Sequence, residues 1–372
     1  MLRVRKWTFR VPPSGALKFL DRCNGRHAFD LLFLSYTGID TPTCHHVGME
    51  KFTVMWLAAK LQSDADAYKY LEELRWGDEP VCPHCGVIGG HYFLKPANGI
   101  SRETSRGKQS QRRTWKCSAC REQFSVTTGT VMHGSHVSLR VWLLIFFEMA
   151  SNKNGIAARE IERKYGVNAR TAWHLTQRIR EAMVANPSNP LAGTWVADET
   201  WVGGTPKYMH ANKRNPESRQ GHTDKTTVFS LIHLESGTVR SAVIQGAHSS
   251  TIRPVIKTHV DVSMSTLYTD ASIIYRDLGK TFAAHEFVNH AAGEYVHKAV
   301  STNPAENFFS QVKRSINGTH HRVSEKHLSR YLAEFDFRYS TRDDTDKDRM
   351  AKIIRRTAGR SLPYDVLRGA VG

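Results

Sequence analysis

Thr194-Trp195-Val196-Ala197-Asp198-Glu199-Thr200-Trp201-Val202 is a run of β-branched and aromatic residues interrupted by two acids, and it decides the fold. Side chains of this kind suit a pleated, half-buried surface. An ionised carboxylate inside so apolar a strand is costly unless it is paired or holds a cation, which singles out Asp198. Three further stretches share the composition: Thr226 to Leu234, Val239 to Gln245 and Ser265 to Thr269. Ser236-Gly237 fits a hairpin turn between the first two of these. Helical spacing runs through 250–260, 271–278, 303–315 and 324–340. Strand, hairpin, helix, strand and paired helices in that order predict a mixed α/β domain over residues 191–342.

Two more acids stand out by position. Asp270 ends Leu267-Tyr268-Thr269-Asp270, and Glu306 lies near the start of the helix that follows. Adjacent strands would bring Asp198 and Asp270 together, with Glu306 supplied from a helix lying across them. Three oxygen donors around one cleft suit Mg²⁺ or Mn²⁺ and leave coordination positions for water and phosphate oxygens. Two such ions would serve phosphoryl transfer. Each acid also has an ordinary reading: Asp198 paired with a lysine, Asp270 capping a helix, Glu306 solvated.

The half of the chain before this domain has a different grammar. Cys82-Pro83-His84-Cys85 and Cys117-Ser118-Ala119-Cys120 are two Cys-x-x-Cys pairs with 31 residues between them. Two such turns complete a tetrahedral Zn²⁺ site, closed and therefore structural. The intervening Ser101 to Lys116 is a basic finger, with Arg102, Arg106, Lys108, Arg112, Arg113 and Lys116 against Glu103 alone, and Arg112 and Arg113 are its candidate DNA contacts. Ile156, Ala157, Ile161 and Tyr165, then Gly166-Val167-Asn168, then Ala172, Trp173, Leu175 and Ile179 outline a helix-turn-helix. In a DNA-reading version Arg170, Thr171, His174 and Arg178 would face the groove; the alternative is a plain helical hairpin with a solvated basic face. The expected organisation is an N-terminal arm over 1–48, with Met49 as the expected start. A zinc ribbon with its leading helix follows over 49–135, a helix-turn-helix region over 136–190, the α/β domain over 191–342 and a tail over 343–372.

Composition narrows the partners. The 372 residues carry 52 Lys and Arg against 35 Asp and Glu, a net charge of +17, with 40% hydrophobic residues. That balance describes a folded, basic protein whose partners are polyanions, nucleic acid or an acidic membrane surface. The longest apolar runs, Val141 to Phe147 and Val54 to Ala59, fall well short of the roughly 20 residues a bilayer-spanning helix needs. Paired cysteines without a secretory signal favour metal over disulfide and a cytoplasmic address.

Several segments, in order, resemble the zinc-ribbon DDE transposases of bacterial insertion sequences, the ISXO-like group. They are Leu74-Arg75-Trp76 before the first cysteine pair, Phe124-Ser125-Val126-Thr127-Thr128-Gly129-Thr130, Asp198 to Gly204, Tyr268-Thr269-Asp270, Asn303 to Ser310 running into Lys313-Arg314, and Gly318-Thr319-His320-His321. Asp270 and Glu306 are separated by 35 residues, a familiar DDE interval. The resemblance implies an RNase H-like fold with Asp198, Asp270 and Glu306 holding two Mg²⁺ (or Mn²⁺), and Glu199 supporting them. It implies cleavage at the ends of a DNA element followed by strand transfer, by a homo-oligomer acting on transposon ends and target DNA in the nucleoid. Lys313 and Arg314, with His320, His321 and Arg322 beyond them, would track the DNA backbone, unless they form an ordinary solvated face. Two other functions stay open: a catalytically silent DNA-binding regulator, and an RNase H-like nuclease that cuts without joining.

Overall fold

The computed structural model describes residues 51–97, 99, 101–103, 107, 109–186, 190–203, 225–288 and 301–369. The expected N-terminal arm, together with Arg106, Lys108 and Gly204, lies outside them.

Helices α1 (Val54–Lys60) and α2 (Asp64–Trp76) come first. A reciprocal cap starts α2: the Asp66 N–H donates to Ser63 Oγ at 3.2 Å, and the Ser63 N–H to Asp66 Oδ2 at 3.0 Å. Five two-residue strands follow: β1 (Tyr92–Phe93), β2 (Arg102–Glu103), β3 (Gln109–Ser110), β4 (Trp115–Lys116) and β5 (Gln123–Phe124). β1, β4 and β5 form an antiparallel sheet, while β2 and β3, within the basic finger, pair separately. Next come α3 (Leu139–Ser151), α4 (Ala158–Tyr165) and α5 (Ala169–Met183). α4 ends on Gly166 in the left-handed conformation, φ 65°, and Asn168 caps α5 through its side chain and the Thr171 N–H at 2.8 Å.

The second half alternates strand and helix. It contains β6 (Leu191–Val202), β7 (Thr226–His233), β8 (Val239–Ile244), α6 (Ser249–His259), β9 (Val260–Asp270), α7 (Ile274–Gly279), β10 (Ala284–Val288), α8 (Asn303–Ser315), a π turn at Ile316–His320 and α9 (Glu325–Ser340). The sheet order is β10-β9-β6-β7-β8, with β10 and β9 parallel, β9 and β6 parallel, and the other two pairs antiparallel. It is a mixed sheet, as expected. Alternation along β6 sends Val196 to one face, where Ala305, Phe308 and Val312 of α8 and Leu332 and Phe335 of α9 cover it. Trp195 and Ala197 go to the other, against Ile252 and Ile256 of α6 and Tyr275 and Leu278 of α7. Gly193 sits at an irregularity in the β6–β9 pairing with φ 133°, where a Cβ would come within 2.4 Å of His233 Nε2.

No local pattern announces β10: Ala284-His285-Glu286-Phe287-Val288 is mostly exposed, an edge strand held by its backbone pairing. The segment expected as a C-terminal tail folds through Arg368 as α10 (Asp346–Arg355) and α11 (Tyr364–Arg368). Met350, Ile353 and Ile354 of α10 are buried in one core with Leu71 of α2, Trp142 and Phe146 of α3, and Leu175 of α5. Among the described residues no helix is long and apolar enough to cross a membrane.

Candidate metal centres and the carboxylate cleft

Two tight turns carry the cysteines. In the first, the Cys82 N–H donates to Val87 O at 3.0 Å and the Gly86 N–H to Cys82 O at 2.9 Å; in the second, the Cys117 N–H donates to Glu122 O at 3.0 Å. Left-handed residues, Gly86 at φ 77° and Arg121 at φ 64°, close the turns. All four sulfurs lie within 4.8 Å of one another, with Cys82 Sγ 3.7 Å from Cys120 Sγ and Cys85 Sγ 3.6 Å from Cys117 Sγ. A tetrahedron with Zn–S bonds of about 2.3 Å has edges of about 3.8 Å, so the sulfurs are spaced for Zn²⁺. Burial pushes the Cys117 thiol up, but the N–H groups of Cys120 and Ala119 outweigh it and hold it down at about 6. At Cys120 the Glu122 N–H favours the thiolate, yet burial and the neighbouring sulfurs prevail and push it up to about 12. Four sulfurs this close require a cation if all are to ionise.

The ribbon is fastened to α2. Glu72 accepts from Arg113 Nε at 2.7 Å and from Trp115 Nε1 at 2.9 Å, and Arg113 also lies over the Phe93 ring at 4.4 Å. Arg113, expected on DNA, is thus an internal strut, whereas Arg112 is exposed.

The acidic residues occupy a different setting. β6 and β9 run parallel with Val196 opposite Tyr268, so two residues further on Asp198 and Asp270 stand level on neighbouring strands. They share the face that α8 covers, because Val196 and Tyr268 pack there. Glu306 is in the first turn of α8, which opens with Pro304. Asp198, Glu199 and Glu306 line one open cleft of about 830 Å³ with Lys313 and Arg314. Asp270 is outside that lining; it accepts the Ser272 N–H through Oδ1 at 3.1 Å, a local turn ahead of α7, whose N-cap is Ile273 and not the aspartate. The oxygens are not gathered as the sulfurs are: among the described residues the four cysteines alone bring three or more candidate ligand atoms so close. Glu199 belongs to the opposite face, beside the buried Tyr275. Burial pushes the Glu199 carboxyl up to about 7, the charges of Asp198 and Asp270 adding to the effect. Tyr275 lacks a sequence signal of its own; only the packing of α7 reveals it under the acidic strand ends.

The remaining basic candidates divide sharply. Lys313, Arg314 and His321 are exposed, and a neighbouring groove of about 590 Å³ continues from Lys313 past Lys225, His321 and Arg322. Arg170 is exposed on α5. Arg178 is not: it lies over Trp142 at 5.2 Å and donates to His133 O at 2.6 Å. His174 is bonded to Leu362 O at 3.0 Å and stacks on Tyr364, so the C-terminal helices take the surface it was expected to offer DNA. His320 packs its ring against Tyr331 and Phe335. Burial pushes its imidazole down to about 4 against the pull of Glu334, with the charges of Arg180 and Arg338 acting in the same direction as burial. Glu334, fully buried, is held by Arg180 Nε at 2.6 Å and Arg338 NH2 at 2.6 Å. Arg113, His174, Arg178 and His320 therefore leave the set of groove-facing residues, because packing already uses them.

The chain thus sets a ribbon spaced for zinc ahead of a mixed sheet with acids at the ends of two parallel strands. Residues 62–123 match the transposase zinc-ribbon domain and residues 190–340 the ISXO2-like transposase domain, so the chain carries both domains of the insertion-sequence transposases it resembles. It is similar to an uncharacterized protein in transposable element ISH50 of Halobacterium salinarum, 27% identical over 300 residues, covering 78% of this chain and 96% of that one.

Proposed function

We propose that this protein is a DNA transposase that binds the terminal inverted repeats of an insertion sequence, cleaves at them and transfers the strand ends to target DNA. The observation that carries it is the placement of Asp198 level with Asp270 on adjacent parallel strands, with Glu306 across the cleft. On this reading the sheet with its covering helices is RNase H-like, and Asp198, Asp270 and Glu306 hold two Mg²⁺ (or Mn²⁺). The donor set suits such ions, three carboxylates from two strand ends and a helix start, and the charges of Asp198 and Asp270 add to the burial that raises the Glu199 carboxyl to about 7. When bound, the ions would supply the charge that activates a water or 3′-hydroxyl and stabilises the leaving oxygen. Lys313 and Arg314 bind the phosphodiester backbone along the cleft, and His321 extends that track. α4 and α5 act as a helix-turn-helix reading the ends through Arg170, with Arg112 of the ribbon as a second contact. Pairing two ends requires a homo-oligomer, and the nucleoid is its place of action.

The test uses the full chain, Mg²⁺ and a duplex carrying the element's own terminus. Wild type should nick the duplex and join it to a plasmid. Asp198→Ala, Asp270→Ala and Glu306→Gln should each lower cleavage at least about a thousandfold, since metal-borne stabilisation is worth several kcal/mol, while end binding stays within about twofold. Undiminished cutting by any one variant removes that residue from the triad. Cutting without joined product assigns a nuclease, and end binding without any cutting assigns a regulator.

A further inference from the structure

A second cavity, of about 500 Å³, lies between the end of α5, β8, α9 and α10 and shares no lining residue with the carboxylate cleft. Arg240, Arg330, Lys352 and Arg356 face it, against the carboxylates of Glu181 and Asp336. Most of these groups are accounted for. Arg330 Nε lies 3.5 Å from Glu181 Oε2, and Lys352 Nζ is held by Asp344 Oδ2 at 2.5 Å. Both oxygens of Asp336 are engaged by Ser241, one by its N–H at 2.8 Å and the other by its hydroxyl at 2.6 Å. Arg240 and Arg356 differ: neither has a carboxylate within ion-pair distance among the described residues. Arg240 NH1 donates to Val239 O at 2.9 Å, and Arg356 has a single long bond from NH1 to Met183 O at 3.5 Å while lying over the Phe337 ring at 5.3 Å. Burial lowers the pKa of both, and the charge of Arg240 bears on Arg356 and on His259 in the same wall. Arg240 and Arg356 thus share a cavity in which cations outnumber acids: Asp336 partly offsets Arg240 but has both oxygens bonded to Ser241, and an anion between the two guanidinium groups would balance the remaining charge.

We propose that this cavity is a phosphate-binding site, with Arg240 and Arg356 as its paired ligands. The guanidinium fork matches the oxygens of a phosphate, and serine and threonine hydroxyls line the remaining wall. The volume exceeds that of one phosphate group, so the phosphate arrives as part of a DNA backbone or of a free nucleotide. A phosphate there ties β8 of the sheet to α5 and α10 of the helical core, and bound protein is correspondingly stabilised.

The experiment is thermal melting of the full chain in sodium phosphate against sodium chloride at equal ionic strength. Phosphate should raise the melting temperature of wild type saturably, and the apparent phosphate dissociation constant should weaken at least tenfold in Arg356→Gln and in Arg240→Gln. Arg368→Gln, exposed on α11 and lining neither cavity, should keep the wild-type response. AMP and a 20-base-pair duplex of arbitrary sequence then separate the sources. Duplex affinity reduced at least threefold in Arg356→Gln identifies a backbone phosphate; an unchanged duplex affinity with lost AMP stabilisation identifies a free nucleotide. Absence of a phosphate-specific shift in wild type, or the same shift in wild type and Arg356→Gln, overturns the site. The phosphate readout does not depend on the transposase reading and can fail or succeed without it.

Discussion

The ribbon and the carboxylate cleft are both gatherings of metal-seeking side chains, yet they are built in opposite ways. The cysteine sulfurs are already at zinc-tetrahedron distances on two short turns. The acids come from two strands and a helix far apart in sequence, Asp198 and Glu306 line an open cleft, and the three stay apart. A site drawn shut before the metal arrives suits a permanent fastener. A site held open suits ions that must share their coordination shell with a substrate.

The largest effect expected of this contrast is at the ribbon. Cys82→Ser or Cys117→Ser should abolish stoichiometric zinc and unfold residues around the knuckles, a loss on the order of 10 kcal/mol of metal-linked folding free energy; zinc content together with limited proteolysis checks it. A ribbon that stays protease-resistant without metal would erase the distinction between the two sites. Next, Glu334→Gln leaves Arg180 and Arg338 buried without their counter-ion and should cost about 3–5 kcal/mol in chemical denaturation. That figure sets the scale of a purely structural charge against the cleft variants, none of which should approach it.

Within the cleft the sign reverses with pH. Glu199 has a folded-state value of about 7, above its ordinary 4.5, so the folded protein keeps a proton that the unfolded chain has released. Its stabilising contribution is complete below about pH 4.5 and is lost as pH rises through about 7. Magnesium-free Glu199→Gln should therefore exceed wild type at pH 8 by about 2–3 kcal/mol and show no such loss between pH 5 and 8. Equal pH profiles would mean that burial beside Tyr275 does not hold the Glu199 proton. The smallest effect belongs to the exposed cations: Arg314→Gln should lower the slope of log affinity against log salt by about one, and Arg178→Gln should leave the slope unchanged because Arg178 contacts protein.

What the sequence determined alone is whatever local spacing encodes. The strand around Asp198, the hairpin at Ser236-Gly237 and the helices at 303–315 and 324–340 follow from period and turn chemistry within a few residues, and the structure contains each of them. The cysteine pairs were legible for the same reason, since two residues between thiols place both on one side of a turn. Tertiary structure decided everything that depends on a distant partner. β10 exists because β9 offers an edge, α10 because Trp142 and Phe146 leave apolar surface for Met350 and Ile353 to cover. The division of the basic residues was equally beyond the sequence. A surplus of positive charge declares a polyanion partner, but Arg113, Arg178 and His320 carry the same side chains as exposed neighbours such as Arg112, Arg170 and His321. Whether a guanidinium or imidazole meets DNA or a buried ring and carbonyl depends on what the rest of the chain packs over it, and no local pattern records that.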